Sequence, residues 1–500
     1  MMLSRLYLTD WVPGVWCTSC ISILSFTLLI TGYFIYNIYL HPLSIHPGPK
    51  WRVASPIPYI IGLVTGRHHI IVKELHQQYG SVVRTAPNKL SFITAPAWRD
   101  IYGHKKANEL EMPKDPQWYL PDPNAQHIIL SDRERHAHFR RLFSNGFSDR
   151  SLRDQEPLLQ HYVSLFLDGL EGLDTVDIVQ RFNWTTFDII GDLTFGEPFG
   201  CLEHSMLHPW VRDMFEAIRG TVYLRVTQEF PGLRQYVNTI LPRILPMSSI
   251  KRRQENLQYT REKVMRRLNN KDNRPDFMDN VLRQPEGKGL TLPEMFSNSF
   301  IFILAGSETT ATLLSGAVYL LLRHPEIKQK LVYELDAAFP DETAITTEAT
   351  SRLTYLAAVI QEALRLYPPV PIGLPRVVPE GGAIVNGQFI PAGTSVTVSH
   401  LAAYTAPKNF QDPEVFIPER FIHREAYYGQ HEVLQPFSHG PRNCIGKNLA
   451  YAELRLILAR LFHRFEMRLG EESNGWMDQR TYLMWEKPPL HVHLKDRRPQ

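Results

Sequence analysis

Ten residues near the C-terminal end, the run FSHGPRNCIG from Phe437 to Gly446, constrain this 500-residue chain more than any other stretch. Directly after them, apolar Leu449, Ala452, Leu456 and Ala459 recur at helical spacing. Cys444 therefore stands in a loop that opens a helix, where free N–H groups and the positive end of the helix dipole favour a thiolate. Gly440 and Gly446 let the backbone turn sharply and approach a flat ligand. Arg442 is placed to pair with a carboxylate on that ligand, and Phe437 offers an apolar face to cover the sulfur. A lone cysteine beside a helix start is more often an inert core residue. Taken together, a thiolate-favouring loop, two close-approach glycines, an arginine and a covering phenylalanine read as a loop that holds haem iron through one cysteine.

The other end of the chain is equally distinctive. No Asp, Glu, Lys or Arg occurs between Asp10 and Lys50, and residues 15–40 are mostly apolar. About 20 such residues span a bilayer, and Tyr33, Tyr36 and Tyr39 sit toward one end as interfacial aromatics do. The run is longer than a signal-peptide core and lacks a small-residue cleavage site, so residues 1–40 read as a retained anchor. Lys50, Arg52 and Arg67 follow it, which favours a cytoplasmic main domain. Pro42, Pro47, Pro49, Pro56 and Pro58 make residues 41–60 a stiff connector, with residues 61–500 left as one large domain. At 44% hydrophobic and 21% charged the composition suits a globular core. The net charge of +3 gives no basic excess for nucleic acid. Four cysteines are too few for a disulfide framework, and the pair Cys17 and Cys20 lacks the Cys or His neighbours of a zinc site.

Between these ends, residues 81–94 read as two short strands about Ala86-Pro87-Asn88-Lys89. Residues 104–131 read as a long proline-bearing loop. Ser131 with Glu134 has the capping-box spacing and predicts a helix carrying Arg133, Arg135, Arg140 and Arg141. Residues 221–247 mix apolar and basic types and are a candidate membrane contact. Thr291 with Glu294 at one end and Pro325 at the other bracket a helix about 48 Å long. Its centre places Gly306, Glu308, Thr309 and Thr310 in an apolar run, where unpartnered polar groups are costly. Taken alone, these form either a site or a polar patch with back-bonded threonines. Glu362 and Arg365 share a helix face. Asn386-Gly387 predicts a tight hairpin, and residues 481–494 predict a last hairpin with its tip at Leu483 and Met484.

Four motifs stand in order: A-G-x-E-T-T at 305–310, E-x-x-R at 362–365, P-E-R-F at 418–421, and the Cys444 loop at 437–446. Together they resemble the cytochrome P-450 family over residues from about 40 to 495. The resemblance implies a mainly α fold with small β-sheets, one haem domain and an N-terminal transmembrane helix. It implies haem b with the Cys444 thiolate as axial ligand. Phe437, Gly440 and Gly446 would shape the loop, with Arg140, Arg376 and Arg442 toward the propionates. His136 stands where many members have Trp. It further implies that Gly306 leaves room for dioxygen, that Glu308 and Thr309 deliver protons, and that Glu362, Arg365 and Arg420 form a buried triad. Phe302, Leu304, Ala305, Val370, Ile372 and Met484 would surround the substrate.

Members of the family take NADPH-derived electrons from a separate flavoprotein, NADPH-cytochrome reductase. They put one oxygen atom of O2 into a C–H or C=C bond and release the other as water. The hinge wording HPL…PGPKW and His136 resemble membrane-bound members from filamentous fungi. The implied setting is a single-pass protein of the endoplasmic reticulum membrane. Its implied reaction is hydroxylation or epoxidation of a lipophilic secondary metabolite: a terpenoid first, a polyketide or alkaloid second. Detoxification or fatty-acid hydroxylation, a haem-thiolate isomerase or dehydratase, and a non-enzymatic haem sensor or electron carrier are the alternatives.

Overall fold

The computed structural model describes residues 11–106, 109–119, 126–230, 232, 239, 247–270, 274, 276–285 and 288–497. Much of the candidate membrane contact at 221–247 thus lies outside the described residues.

The fold is organised around a 32-residue helix, Leu292–Arg323. Thr291 and Glu294 close the expected capping box, with the Thr291 N–H and hydroxyl both 2.9 Å from Glu294 Oε2. Apolar residues cover most of the helix surface, so it buries itself by packing on all sides. Its neighbours are the helices Ile178–Phe195, Thr354–Leu366 and Lys447–Arg464. It is apolar enough to cross a membrane, yet 72% of its most apolar window is buried inside the protein, which makes it a core helix. The N-terminal helix Trp11–Ile35, continued by a π-type turn over Tyr36–Leu40, is the opposite case. None of the apolar window within Ser19–Leu40 is buried.

Residues 41–60, read as a stiff connector, pack against the body of the protein. Helical turns form at Lys50–Val53 and Ile57–Val64, and Leu43 is fully buried. Arg84 ties the segment to the first sheet, donating to Asn37 O at 2.7 Å while its N–H donates to Pro47 O at 2.8 Å. Each proline stiffens the chain, but the carbonyls between them are what the body grips.

Strands Val82–Ala86 and Lys89–Phe92 form the expected hairpin. Ser395–Val398 joins it in parallel, and Arg376–Val377 closes the four-stranded sheet. The Asn386-Gly387 turn forms as read, with φ of 53° and 76°, linking Ala383–Val385 to Gln388–Ile390. The last hairpin is shorter than expected. Thr481–Tyr482 pairs with Met484–Trp485 about Leu483, whose φ is 86°. Pro488 and Pro489 then break the strand. His491–Asp496 instead pairs with Phe465–Leu469 and Thr175–Asp177. The helix Arg133–Phe143 is capped by Asp132, whose carboxylate accepts from Arg135 N, and not by Ser131. A carboxylate at the N-cap also meets the helix dipole favourably.

Candidate functional site

The Cys444 loop is held by its backbone. The Cys444 N–H donates to Phe437 O at 2.8 Å, and a single 3-10 turn covers Gly440–Arg442. Gly440 has φ of 75°, and a Cβ there would lie 2.0 Å from Tyr102 O, so only glycine fits. The following helix begins at Lys447. Cys444 is embedded among protein atoms on every side, yet its own surface is accessible, which describes an internal cleft. The loop does not depress the thiol as expected. Burial pushes it up, against the opposing pull of the Gly446 N–H, Arg140 and Lys447. A Cβ on Gly446 would come within 4.0 Å of the sulfur, so the glycine keeps that flank open.

Positive groups gather on one side of the loop. Arg442 donates to Glu111 Oε1 at 2.5 Å and to Ser131 O at 2.9 Å. Arg376 donates to Met112 O at 2.9 Å and reaches Glu111 at 3.5 Å. Its Nε is buried without a partner among the described residues, as is Ser131 Oγ. Lys114 is pushed well down, first by burial and then by Arg376 and Arg442. His136 is lowered to about 4, first by burial and then by Arg442, Lys114 and Arg140. Glu111 is the counter-charge common to Arg376, Arg442 and Arg133. Arg140 is engaged elsewhere, donating to Asn443 O at 2.5 Å and Asn443 Oδ1 at 2.6 Å, so it braces the cysteine loop.

The long helix shows an accessible stripe at its centre. Ala305 is exposed, and Leu304 and Thr309 are half-buried, while Phe302 and Glu308 are buried. The Thr309 hydroxyl donates to Ala305 O at 2.6 Å, the back-bonded form. Phe302 lies one turn before Ala305 but is buried, its ring packed edge-on against Phe143 at 4.7 Å and against Phe147 and Phe277. Gly306 makes room for a neighbour rather than for a ligand, since a Cβ there would meet Ile190 Cδ1 at 2.4 Å. Glu308 accepts a hydrogen bond from Lys487 Nζ and one from Thr312 Oγ1 at 3.3 Å.

The Cytochrome P-450 family model matches residues 49–494. The chain belongs to the cytochrome P-450 family. A cytochrome P-450 monooxygenase, astJ, from Aspergillus oryzae is 41% identical over 473 residues, covering 93% of this chain and 94% of the relative. A second, atr2 from Stereocaulon alpinum, is 42% identical, covering 94% of each. An averantin hydroxylase from Dothistroma septosporum is 41% identical, covering 92% of this chain and 88% of the relative. This cytochrome P-450 is thus a monooxygenase of a family that binds haem through a cysteine thiolate. The family also implies a redox partner reductase, O2 and a lipophilic substrate.

The residues fit that cofactor. Haem carries two propionates; Arg376 and Arg442 bring two positive charges against the one of Glu111, a buried Arg376 N–H is unpartnered among the described residues, and His136, lowered to about 4, offers a neutral ring beside them.

The E-x-x-R pair of this cytochrome P-450 is buried whole. Arg365 donates to both Glu362 oxygens, and Arg420 Nε reaches Glu362 Oε1 at 3.1 Å. Each arginine spends its remaining donors on backbone carbonyls, including Tyr404, Pro413 and Gln411.

Val370, Ile372 and Leu483, expected around the substrate, share one apolar cluster with Tyr59 and Trp118. Met484 is buried. The space beside Ile372 is not wholly apolar. Lys89, Asp115, Gln117, Arg225 and Glu229 also line it. Lys89 pairs with Glu229 at 2.9 Å, and Ser395 Oγ donates to Asp115 at 2.6 Å. Arg225 donates to Trp118 O at 3.0 Å, so this wall carries polar and charged groups beside the apolar ones.

The motifs did not flag Glu111, Lys114, Asn443 or Lys487, nor Glu453, whose carboxyl burial pushes up to about 8 beside Thr310. Glu453 was in principle findable, as a lone acid within the apolar periodicity of the helix after Cys444.

Proposed function

We propose that Cys444 is the axial ligand of haem b and that Arg376, Arg442 and His136 hold its propionate edge. Arg140 supports the loop from Asn443. The observation that carries this is an accessible cysteine in a loop whose Arg442, with Arg376, brings two positive charges against the one of Glu111. When bound, the haem supplies oxygen activation, with the thiolate pushing electron density toward the O–O bond. The chain supplies the rest. Gly440 and Gly446 keep the backbone close, Phe437 shields the sulfur against Tyr451 at 5.1 Å, and the stripe of Leu304, Ala305 and Thr309 bounds the reacting space. Thr309 and Glu308 carry protons to it.

The substrate is a lipophilic secondary metabolite, a terpenoid before a polyketide or alkaloid, hydroxylated or epoxidised. The apolar cluster of Val370, Ile372 and Leu483 supports this, since such walls bind by area at about 25 cal/mol per Å². The name of the averantin hydroxylase relative supports hydroxylation of a small organic substrate. The N-terminal helix anchors the protein in the endoplasmic reticulum membrane with the main domain, residues 61–500, in the cytoplasm beside its NADPH-cytochrome reductase.

Two experiments test this reading. Cys444→Ala abolishes the long-wavelength band of the reduced carbon monoxide complex; a variant that keeps the band refutes the ligand. A panel of terpenoids, polyketides, alkaloids and small charged acids, read by spectral shift and NADPH-dependent turnover, tests the substrate. Turnover of charged acids alone overturns the class, and turnover without oxygen uptake points to an isomerase or dehydratase.

A further inference from the structure

Arg225 is a buried cation with no carboxylate within ion-pair distance among the described residues. It belongs to the stretch read as a candidate membrane contact, and its neighbours Tyr223 and Leu224 are exposed, yet Arg225 itself turns inward at 9% exposure. Its Nε donates to Trp118 O at 3.0 Å, and the guanidinium lies over the Trp118 ring, 4.1 Å from its centre. The two terminal amino groups of Arg225 have no partner among the described residues. Burial lowers its pKa to about 10, against the pull of Tyr59 and Tyr119, so it is a cation at neutral pH. A buried guanidinium is costly unless acceptors meet its N–H groups.

Arg225 lines a cavity of about 40 Å³ together with Lys89, Asp115, Glu229 and Ile372. A space of that size holds a few waters or the polar end of a ligand, not a whole lipophile. Ile372 joins it to the apolar cluster with Val370 and Leu483, which offers a wall for the rest of such a molecule. Both carboxylates of the cavity are already engaged. Asp115 accepts from Ser395 Oγ at 2.6 Å and from the Gln117 N–H at 2.9 Å, and Glu229 pairs with Lys89 at 2.9 Å. His68, lowered by burial to about 3, adds no charge to the lining. Two cations and two carboxylates therefore cancel, and the cavity has no net charge to offer a carboxylate or phosphate. What it offers is unengaged N–H donors on Arg225, which suit a neutral oxygen acceptor.

We propose that Arg225 is a specificity-determining residue whose guanidinium takes the carbonyl oxygen of an oxygenated lipophile, a ketone or quinone, at the end remote from the carbon to be oxidised. The inference rests on the reading of the space beside Ile372 as substrate space. It narrows the substrate from any lipophile to one that already bears a carbonyl group, so a carbonyl-forming reaction must precede this one. A hydrocarbon of the same shape would leave the Arg225 donors without an acceptor. A site built on such donors discriminates more sharply than apolar area alone allows.

The test uses the full haem-loaded chain as wild type, Arg225→Met, Arg225→Gln and Ile372→Trp. The probes are two matched pairs, valencene with its ketone nootkatone and anthracene with anthraquinone, together with anthraquinone-2-carboxylate. Kd is read from the iron spin-state shift and, independently, by equilibrium dialysis. Arg225→Met keeps an apolar stem over Trp118. Damage to packing then weakens both members of a pair alike, whereas loss of the donors weakens only the carbonyl member. The Kd ratio of hydrocarbon to carbonyl compound is expected to fall about tenfold or more in Arg225→Met. Arg225→Gln keeps an N–H donor, is expected to give an intermediate ratio, and carries the comparison if Arg225→Met folds poorly. Tighter binding of the carboxylate than of the quinone, lost in Arg225→Met, overturns the neutral acceptor. Ile372→Trp is expected to weaken every probe. If it weakens none, the reading of this space as substrate space fails. If it weakens them while neither Arg225 variant changes the ratio, the role of Arg225 fails alone.

Discussion

Arg365 grips Glu362 through two parallel hydrogen bonds, Nε to Oε2 at 2.8 Å and Nη2 to Oε1 at 2.7 Å, with both side chains at 0% exposure. Arg420 leans on the same carboxylate, and the N–H of Ile417 reaches it at 2.9 Å. A surface pair of this kind contributes little. Here one carboxylate and two guanidiniums organise the carbonyls of residues 404–415, so each charge depends on the others. Breaking such a pair by removing one partner costs roughly 3–5 kcal/mol. Arg365→Ala is therefore expected to give little haem-loaded protein. Arg365→Lys is expected to recover only part of it, because a point charge cannot reproduce the bidentate fork. The check is yield of folded, haem-loaded protein together with its thermal midpoint. Normal yield with slowed turnover contradicts a folding role.

Thr309 spends its hydroxyl proton on Ala305 O at 2.6 Å, which leaves its oxygen as an acceptor on the accessible stripe. On the proposed role of Thr309, that acceptor would hold a proton-donating water beside the reacting oxygen. Thr309→Ala is expected to fold, load haem and consume NADPH, while more electrons leave as hydrogen peroxide and fewer reach product. A loss of positioned proton transfer is worth about 10²–10⁴-fold in rate at most. The measurement is product and peroxide per NADPH; an unchanged ratio rejects the assignment.

The sequence was most legible where chemistry demands fixed spacing. The helix start just after Cys444, the Thr291 capping box and the Asn386-Gly387 turn follow from local rules and formed as read. Burial of Glu362 was not readable from i,i+3 spacing alone. It became an expectation only with Arg420, more than fifty residues on. Facing was the weakest inference. A motif locates Phe302 and Gly306 on the right helix but does not fix which neighbour each one meets, and here the neighbours are Phe143 and Ile190. Glu111 and Lys487 were invisible because an isolated charge in a loop reads as solvated. Only tertiary packing brings Glu111 between Arg376 and Arg442, or drives Lys487 onto Glu308.

Acid sensitivity follows from histidines buried in neutral form. His76 lies between Gly80 O at 2.7 Å and Ser91 Oγ at 2.8 Å, and burial lowers it to about 4 against the opposing pull of Gly80 O. His400, bonded to Ile372 O at 2.7 Å, is lowered to about 4 in the same way. Above pH 6.5, the ordinary histidine value, folded and unfolded chains both hold these rings neutral, and stability is complete. As pH falls toward about 4 the unfolded chain takes protons that the folded one refuses, so stability drops. One such ring accounts for about 3 kcal/mol at the most. Denaturant unfolding at pH 7 and pH 5 checks this, and His76→Gln is expected to flatten the difference between them. A wild-type stability that does not change over this range rejects the argument.

Gly306 and Ile190 give the last prediction. Glycine inside a helix costs about 1 kcal/mol relative to alanine, so on propensity alone Gly306→Ala stabilises. The structure reverses the sign. The added Cβ would stand 2.4 Å from Ile190 Cδ1 and 2.8 Å from Cγ1, with Ile190 itself buried between two packed helices. Overpacking of this kind costs roughly 1–3 kcal/mol, which outweighs the propensity gain over most of that range. Ile190→Ala leaves a cavity and costs about 2–5 kcal/mol by itself. It also removes both clashing atoms, and the remaining Cβ contact at 3.7 Å is ordinary packing. The double variant is therefore expected to be more stable than Ile190→Ala alone, because the new methyl enters the space the isoleucine vacated. A double-mutant cycle by denaturant unfolding should show a favourable coupling of about 0.5–3 kcal/mol. Strict additivity would mean that the two helices separate to admit the methyl, and that Gly306 is not there for Ile190.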